Sequence, residues 1–316
     1  MDKVALGIDL GGTKLDAGIM NGSGNLIARI RCQTEAQKGP KSDIDKIKFV
    51  IKSLIEQQVS QKHDIAGIGI GVPGFIDADN GKIITLTNLA GWDDMPLSDI
   101  IKNTFKLPVE IDNDANAAAY GEYLFGSGRD TNNFFYMTVS TGIGGGMIIS
   151  GKPYHGANYG AAEIGHIVID INGEKCNCGN YGCFEAMASG TAMANFAKKH
   201  IGMGEISIIH KLTSNGHIKA EHIFDAAKKG DNLANKLIYK EALYLGIGIS
   251  NVIAMYNPDR IAVGGGVSNQ WDVLYPKIAK EVENRALKHN LKSCDIIKAE
   301  LGPNAGVIGA AALILR

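Results

Sequence analysis

Val4-Ala5-Leu6-Gly7-Ile8-Asp9-Leu10-Gly11-Gly12-Thr13-Lys14 is the stretch that decides the fold. An apolar run ends on an acid. Two glycines and a threonine follow, and a mixed polar and apolar run continues to Met20. The pattern reads as a hairpin whose tip carries glycines, a hydroxyl and a carboxylate. The same device returns further on. Residues 134–140 read as a strand, Thr141-Gly142-Ile143-Gly144-Gly145-Gly146 as a glycine tip, and Met147-Ile148-Ile149 as the return strand. Two such hairpins, one opening each half, indicate an internal duplication. A period this long excludes a solenoid and points to two similar α/β domains.

Glycine tips suit phosphate, because bare backbone N–H groups reach an anion and form a concave nest. Asp9 at the strand end is placed to hold a metal ion through water, and Thr13 and Thr141 offer hydroxyls. The spacing differs from a P-loop, which puts Gly-Lys-Ser/Thr after four intervening residues. For either hairpin alone, a plain tight turn is the competing reading; the pair favours a nucleotide. Gly69-x-Gly71-x-x-Gly74 matches the dinucleotide fingerprint by letter. That fingerprint must open a helix, and Pro73-Gly74 followed by Phe75-Ile76-Asp77 reads as a turn, so the match is rejected.

A second cluster lies between Glu163 and Glu185. Glu163-Ile164-Gly165-His166 is followed by Cys176-Asn177-Cys178-Gly179-Asn180-Tyr181-Gly182-Cys183-Phe184-Glu185. His166, Cys176, Cys178 and Cys183 supply four donors, enough to close a tetrahedral zinc site. Loose thiols or a disulfide are the alternatives. Cys-x-Cys is an awkward disulfide spacing, and nothing in the chain suggests secretion. The neighbours of His166 suggest a strand edge. Glu163 and Glu185 flank the ligands, so a structural metal would fix both carboxylates.

The 316 residues are 45% hydrophobic, ample for two cores. Lysine plus arginine number 32 against 33 acids, a net charge of -1, which argues against nucleic acid as a partner. The 40 glycines sit beside apolar runs, as in loops at strand ends. The N-terminus lacks the pattern of a signal peptide, and the apolar run at 305–315 is too short to span a bilayer. A cytoplasmic protein without membrane partners is expected.

Helical periodicity marks 42–62, 186–200, 220–229 and 231–256, with 242–256 apolar on nearly all sides and expected in a core. The loop Asn88-Leu89-Ala90-Gly91-Trp92 precedes a helix near 96–105; Asn88 is a candidate hydroxyl contact or a turn residue. Val109-Glu110-Ile111-Asp112 runs into Asn113-Asp114-Ala115-Asn116, where helix formers begin. One acid or amide here must cap the helix. The surplus allows Asp114 to be either a cap or a base facing a hydroxyl. The loop 126–133 reads as a hinge. Ile261-Ala262-Val263 runs into Gly264-Gly265-Gly266, a strand-end turn suited to a nucleoside. The last helix, 305–315, is expected to pack on the first domain.

Asp9-Leu10-Gly11-Gly12-Thr13-Lys14, Asn113-Asp114-Ala115-Asn116, Glu163-Ile164-Gly165-His166 and the Cys176–Glu185 motif resemble the hallmarks of the ROK family of sugar kinases and sugar-sensing repressors, in family order and across essentially the whole chain. The resemblance implies a duplicated ribonuclease H-like, actin-like ATPase fold with ATP and sugar in the cleft between two domains. One would hold 1–118 plus 302–316, the other 119–301. It also implies a homodimer and Mg²⁺ with the nucleotide. Asp114 would be the general base. Gly74, Asn88, Asn113, Glu163, His166 and Glu185 would meet the sugar. Asp9, Gly11, Gly12, Thr13 and Lys14 would face phosphate and Mg²⁺, with Thr141, Gly142 and Gly144 on the other side and Gly264, Gly265 and Gly266 at the adenosine. Zn²⁺ would sit on His166, Cys176, Cys178 and Cys183.

The 88–92 loop looks most like the glucokinase branch. N-acetylmannosamine, N-acetylglucosamine and fructose kinases of the family are alternatives, as is a non-catalytic sensor. Family repressors carry a helix-turn-helix ahead of the first hairpin. That hairpin starts here at residue 4, so no such domain is expected. An actin-like chaperone or filament would leave the cysteine loop unexplained. Ala162 departs from the glycine common before Glu-Ile-Gly-His.

Overall fold

The computed structural model describes residues 3–34, 38–59, 63–86, 89, 91–213 and 216–315. The chain forms two compact units: Met1–Tyr136 with Gly146–Ala162 and Ala299–Arg316, and Met137–Gly145 with Glu163–Lys298. The expected boundary after residue 118 falls inside a helix, Asp114–Phe125.

In the first unit, β1 (Lys3–Leu10) and β2 (Lys14–Asn21) form the antiparallel hairpin expected from the glycine tip. β3 (Leu26–Gln33) follows, then α1 (Pro40–Val59), β4 (Asp64–Val72), the small hairpin β5 (Phe75–Asp77) and β6 (Lys82–Thr85), α2 (Leu97–Phe105), β7 (Val109–Asn113) and α3 (Asp114–Phe125). The sheet order is β3-β2-β1-β4-β7, with β4 parallel to both β1 and β7.

Alternation along β1 sorts its side chains onto two faces. Val4, Leu6, Ile8 and Leu10 join Ile47, Val50, Ile51 and Leu54 of α1 and Leu97 and Ile101 of α2 in one buried cluster. Ala5 faces the other way, toward Ile308 and Ala311 of the C-terminal helix Ala305–Ala312. That helix lies flat on the sheet because Gly7 and Gly69 carry no Cβ. A methyl at either place would collide with the helix backbone at Val307 or Ala310. The C-terminal helix thus packs on the first unit, as expected.

The second sheet contains β8 (Phe134–Val139), β9 (Ile143–Ile149), β10 (Lys152–Pro153), β11 (Arg260–Gly264) and β12 (Asp295–Lys298), in the order β10-β9-β8-β11-β12. Leaving out the small β5-β6 hairpin, each sheet reads third, second, first, fourth, fifth in its own chain order. The shared order is the duplication read from the two hairpins, and the fold is the duplicated actin-like α/β class.

Helices α4 (Phe184–Ala188), α5 (Gly190–Gly202), α6 (Ala220–Lys228), α7 (Asn232–Tyr256), α8 (Trp271–Arg285) and α9 (Lys288–Leu291) complete the second unit. The helical run after the cysteines breaks at Ser189, whose hydroxyl caps α5 by accepting from Ala192 N at 3.1 Å. Asp231 caps α7, accepting from Ala234 N at 2.8 Å. α7 is long and apolar enough to cross a membrane by length and composition. Leu237, Ile238, Ala242, Leu245, Ile249 and Val252 are buried, so it serves as a core helix.

Three local expectations change. The second glycine tip is shorter than its sequence suggests, because β9 begins at Ile143 and takes in Gly144, Gly145 and Gly146. A Cβ on Gly146 would lie 2.5 Å from Ala119 Cβ and 2.7 Å from Ala115 O, so this glycine serves strand-on-helix packing. The approach to His166 is a 3₁₀ turn, Ile164–His166, and not a strand edge. Loop 126–133 is a firmly bonded corner of the first unit. The fully buried Glu122 accepts from Ser127 N at 2.9 Å, Ser127 Oγ at 2.6 Å and Leu301 N at 2.8 Å.

Candidate functional site

In the first unit, β1 delivers Asp9 beside the tip Gly11-Gly12-Thr13-Lys14. The tip is closed by Gly11 N donating to Lys14 O at 2.8 Å. The Asp9 carboxylate lies against Gly306, where a Cβ would collide with it. Burial and the neighbouring Asp114 carboxylate push the Asp9 pKa up to about 7, against the pull of Lys14.

The β7–α3 junction separates the cap from the candidate base. Asn113 is the N-cap, its Oδ1 accepting from Ala115 N at 2.9 Å and Asn116 N at 3.2 Å. Asn113 Nδ2 donates to Gly74 O at 3.1 Å. Gly74 holds φ +120°, and a Cβ there would collide with Thr85 O, so only glycine fits. Asp114 is the first residue of α3, half-buried, with Ala115 N donating to its Oδ1 at 2.8 Å. Burial raises its carboxyl above the ordinary range, offset in part by backbone N–H groups. Asn88 lies outside the described residues.

In the second unit, the tip runs from Ser140 to Gly142, with Ser140 N donating to Gly142 O at 2.9 Å. Glu185 braces it: its Oε2 accepts from Ile143 N at 3.0 Å. Gly165 lies so close to Ile143 O that a Cβ would collide. A cavity of about 480 Å³ opens beside the tip, lined in part by Ser140, Thr141, Gly190, Thr191, Lys198 and Gly266. That volume suits a small-molecule ligand.

The start of α5 faces this cavity, and Gly190 N donates to Ser140 O at 2.7 Å. A helix N-terminus at a glycine tip favours an anion. Of the three glycines expected at the nucleoside, Gly266 lines the cavity. Gly264 ends β11, buried, and Gly265, at φ +85°, is packed against the Val139 backbone. Gly144 lies within β9.

The cysteine loop gathers its four donors. His166, Cys176, Cys178 and Cys183 place their donor atoms within 4.8 Å of one another. Cys178 Sγ and Cys183 Sγ are 3.6 Å apart, and Cys176 Sγ and His166 Nδ1 are 3.7 Å apart. Zinc–sulfur bonds near 2.3 Å imply tetrahedral edges of about 3.8 Å, so the cage fits zinc. The charge balance fits too. Burial and the adjacent thiols push Cys183 up to about 12, and burial raises Cys176, while the Asn180 N–H lowers Cys178. Three thiols so close ionise together only around a cation. All five cysteines are free of disulfides.

The loop is anchored ahead of its cysteines, at Asp170 and Glu174. Tyr244 Oη donates to Asp170 at 2.8 Å, and Lys199 pairs with Glu174 at 2.6 Å. Glu163 is exposed at the start of the 3₁₀ turn, with His166 N donating to its carbonyl at 3.1 Å.

The ROK family profile matches residues 5–316. The chain belongs to the ROK family. It is 36% identical to a glucokinase of Halalkalibacterium halodurans over 99% of this chain and 95% of that protein. A ROK glucokinase of Streptomyces griseus, solved with glucose and AMPPNP, superposes with a TM-score of 0.84 at 32% identity, over 98% of both chains. A ROK transcriptional regulator, a homologue of E. coli MLC, gives 0.89 at 27% identity over 99% of this chain and 78% of its own.

Within this ROK chain, the sequence reading missed the start of α5. Ser189-Gly190-Thr191 interrupts an otherwise helical run, and that interruption is the signal that could have marked Gly190 and Thr191 as cavity residues. Lys198 gave no such sign. It reaches the cavity only through the course of α5.

Proposed function

We propose that this ROK chain is an ATP-dependent hexose kinase that converts glucose and ATP to glucose 6-phosphate and ADP. One observation carries the reading: the capping duty at α3 falls to Asn113, leaving Asp114 as a half-buried carboxylate of raised pKa. Phosphoryl transfer asks a protein for alignment and charge neutralisation more than for covalent help. Asp114 orients the attacking hydroxyl and takes its proton as the bond to phosphorus forms.

Gly74, Asn88, Asn113, Glu163, His166 and Glu185 are proposed to hold the sugar. His166 turns Nδ1 toward Cys176, which leaves Nε2 for a hydroxyl. Carboxylates and amides suit a polyol because they accept from and donate to vicinal hydroxyls. Asp9, Gly11, Gly12, Thr13 and Lys14 are proposed to face phosphate and Mg²⁺. A half-buried acid beside a second acid is one that a divalent cation relieves. Thr141, Gly142 and Gly144 would take phosphates from their side, and Gly264, Gly265 and Gly266 the adenosine. Zn²⁺ on His166, Cys176, Cys178 and Cys183 would be structural, holding the loop that carries Glu163 and Glu185.

A cytoplasmic homodimer completes the proposal. The free thiols suit a reducing compartment, and Ile171 and Ile206, 85% and 98% exposed, are apolar side chains that a partner subunit would cover. Light scattering at two protein concentrations tests the dimer.

The kinase reading is tested by ADP release with a sugar panel. Glucose is expected to stimulate most. Preference for N-acetylmannosamine, N-acetylglucosamine or fructose would reassign the sugar. If no sugar raises the rate above the sugar-free rate, the kinase reading fails. Sugar binding without turnover would favour a sensor, the reading that the likeness to a regulator keeps open.

A further inference from the structure

Asp112 is 1% exposed, a carboxylate buried one residue before the cap. Its Oδ1 accepts from Asn113 N at 2.8 Å and lies 3.4 Å from Asn116 Nδ2. Its Oδ2 accepts from His155 Nε2 at 2.9 Å. His155 comes from a separate segment, after β10, and is 19% exposed.

That segment is closed on itself. Ala161 N donates to His155 O at 3.1 Å, and Gly156, Tyr159 and Ala162 all have φ between +60° and +75°, at +72°, +63° and +63°. Tyr159 lies near the His155 ring and donates its hydroxyl to Asp79 at 2.9 Å. The loop is therefore held at two points, His155 on Asp112 and Tyr159 on Asp79.

We propose that His155 is a positioning residue for the base: by clasping Asp112 it fixes the Asn113 backbone, and with it the direction in which Asp114 leaves the β7–α3 junction. A buried carboxylate that loses a charged or strongly polar partner must shift or find another. Asp112 has little room to shift without moving the Asn113 N–H that it accepts. That N–H belongs to the residue that caps α3 and bonds Gly74. A displacement there passes directly to Asp114, and misplacement of about 1 Å at a reacting group costs about a hundredfold in rate. The assignment rests on the kinase reading for its rate consequence, but its structural content stands apart from activity.

Two variants test it. H155F keeps the ring volume and removes the donor; H155Q places an amide N–H near the Nε2 position. H155F is expected to lower kcat by about tenfold to a hundredfold, with KM for ATP and for glucose within about threefold. H155Q is expected to restore most of kcat. Hydrogen exchange over 109–120 is the readout independent of turnover. It should quicken in H155F and return toward the wild-type pattern in H155Q.

A wild-type chain without sugar-stimulated turnover would sink the kinase reading, and the exchange result would still decide the clasp. The clasp is overturned if exchange over 109–120 is unchanged in H155F. It is also overturned if H155F keeps its full kcat, or if H155Q is as slow as H155F. Should H155F fail to fold, H155A against H155Q carries the same test: exchange over 109–120 should be quicker in H155A than in H155Q, and equal exchange in the two would overturn the clasp.

Discussion

The two glycine tips share a place in two sheets of the same strand order, yet they are built for different work. The first ends β1 on an acid. Asp9, half-buried and facing Asp114, has its pKa pushed up to about 7. The second has Ser140 where the first has its acid. It is braced from behind by Glu185 on Ile143 N and by Gly190 N on Ser140 O, and it borders a cavity of about 480 Å³. Duplication preserved the backbone device while the charge came to differ. One tip carries an acid whose ionisation is opposed by burial and by a neighbouring acid. The other offers neutral backbone and a helix N-terminus to an anion.

If the tips divide labour in this way, D9N should have the largest effect. The kcat for phosphoryl transfer is expected to fall by at least about a hundredfold, measured by coupled ADP release. A change of less than about threefold would erase the contrast between the tips.

Next in size, C183S should break the support of the second tip without touching the first. Elemental analysis should find zinc in the wild type and little in the variant, and the thermal midpoint should fall by about 5–10 °C. Equal metal content and an unchanged midpoint would remove the metal from the account.

The pH dependence of stability separates the tips further. The folded pKa of Asp9 is raised above its unfolded value, so its contribution is fully present below about pH 4 and is lost as pH rises through about 7. D9N should flatten that part of the stability profile between pH 4 and 7, measured by urea unfolding at each pH. No residue at the second tip should do so.

The smallest effect concerns Ala162. This residue holds φ +63°, a conformation unfavourable to any side chain but free to glycine. A162G should stabilise by up to about 1 kcal/mol, read as a small rise in the urea midpoint.

Much of the architecture could be read from the residues because hairpins, glycine tips and apolar alternation are local. The β1–β2 hairpin, the helix over 231–256, and the donor set His166, Cys176, Cys178 and Cys183 all have short-range signatures. The four-donor cluster itself was legible because the residue types state the chemistry before the chain is folded.

What escaped depended on contacts far apart in sequence. Gly146 looks like a turn residue until Ala115 and Ala119 of α3 are packed against it. Glu122 looks like an ordinary helix glutamate, yet it holds the 126–133 corner and the backbone of Leu301. The Asn113-Asp114 pair allowed either residue to be the cap, and only the backbone geometry assigned that role to Asn113. Ala162 was visible as a departure from the family pattern, but the reason for glycine there is a dihedral angle that no spacing reveals.

Binding of a non-hydrolysable ATP analogue to D114N, measured beside its rate of glucose phosphorylation, tests the central claim most directly. Analogue affinity is expected to stay within about threefold of wild type while the rate falls by about 10²–10⁴-fold. A rate within about tenfold of wild type would leave Asp114 as no more than the first residue of a helix, and a parallel loss of analogue binding would place it with the nucleotide instead of the sugar.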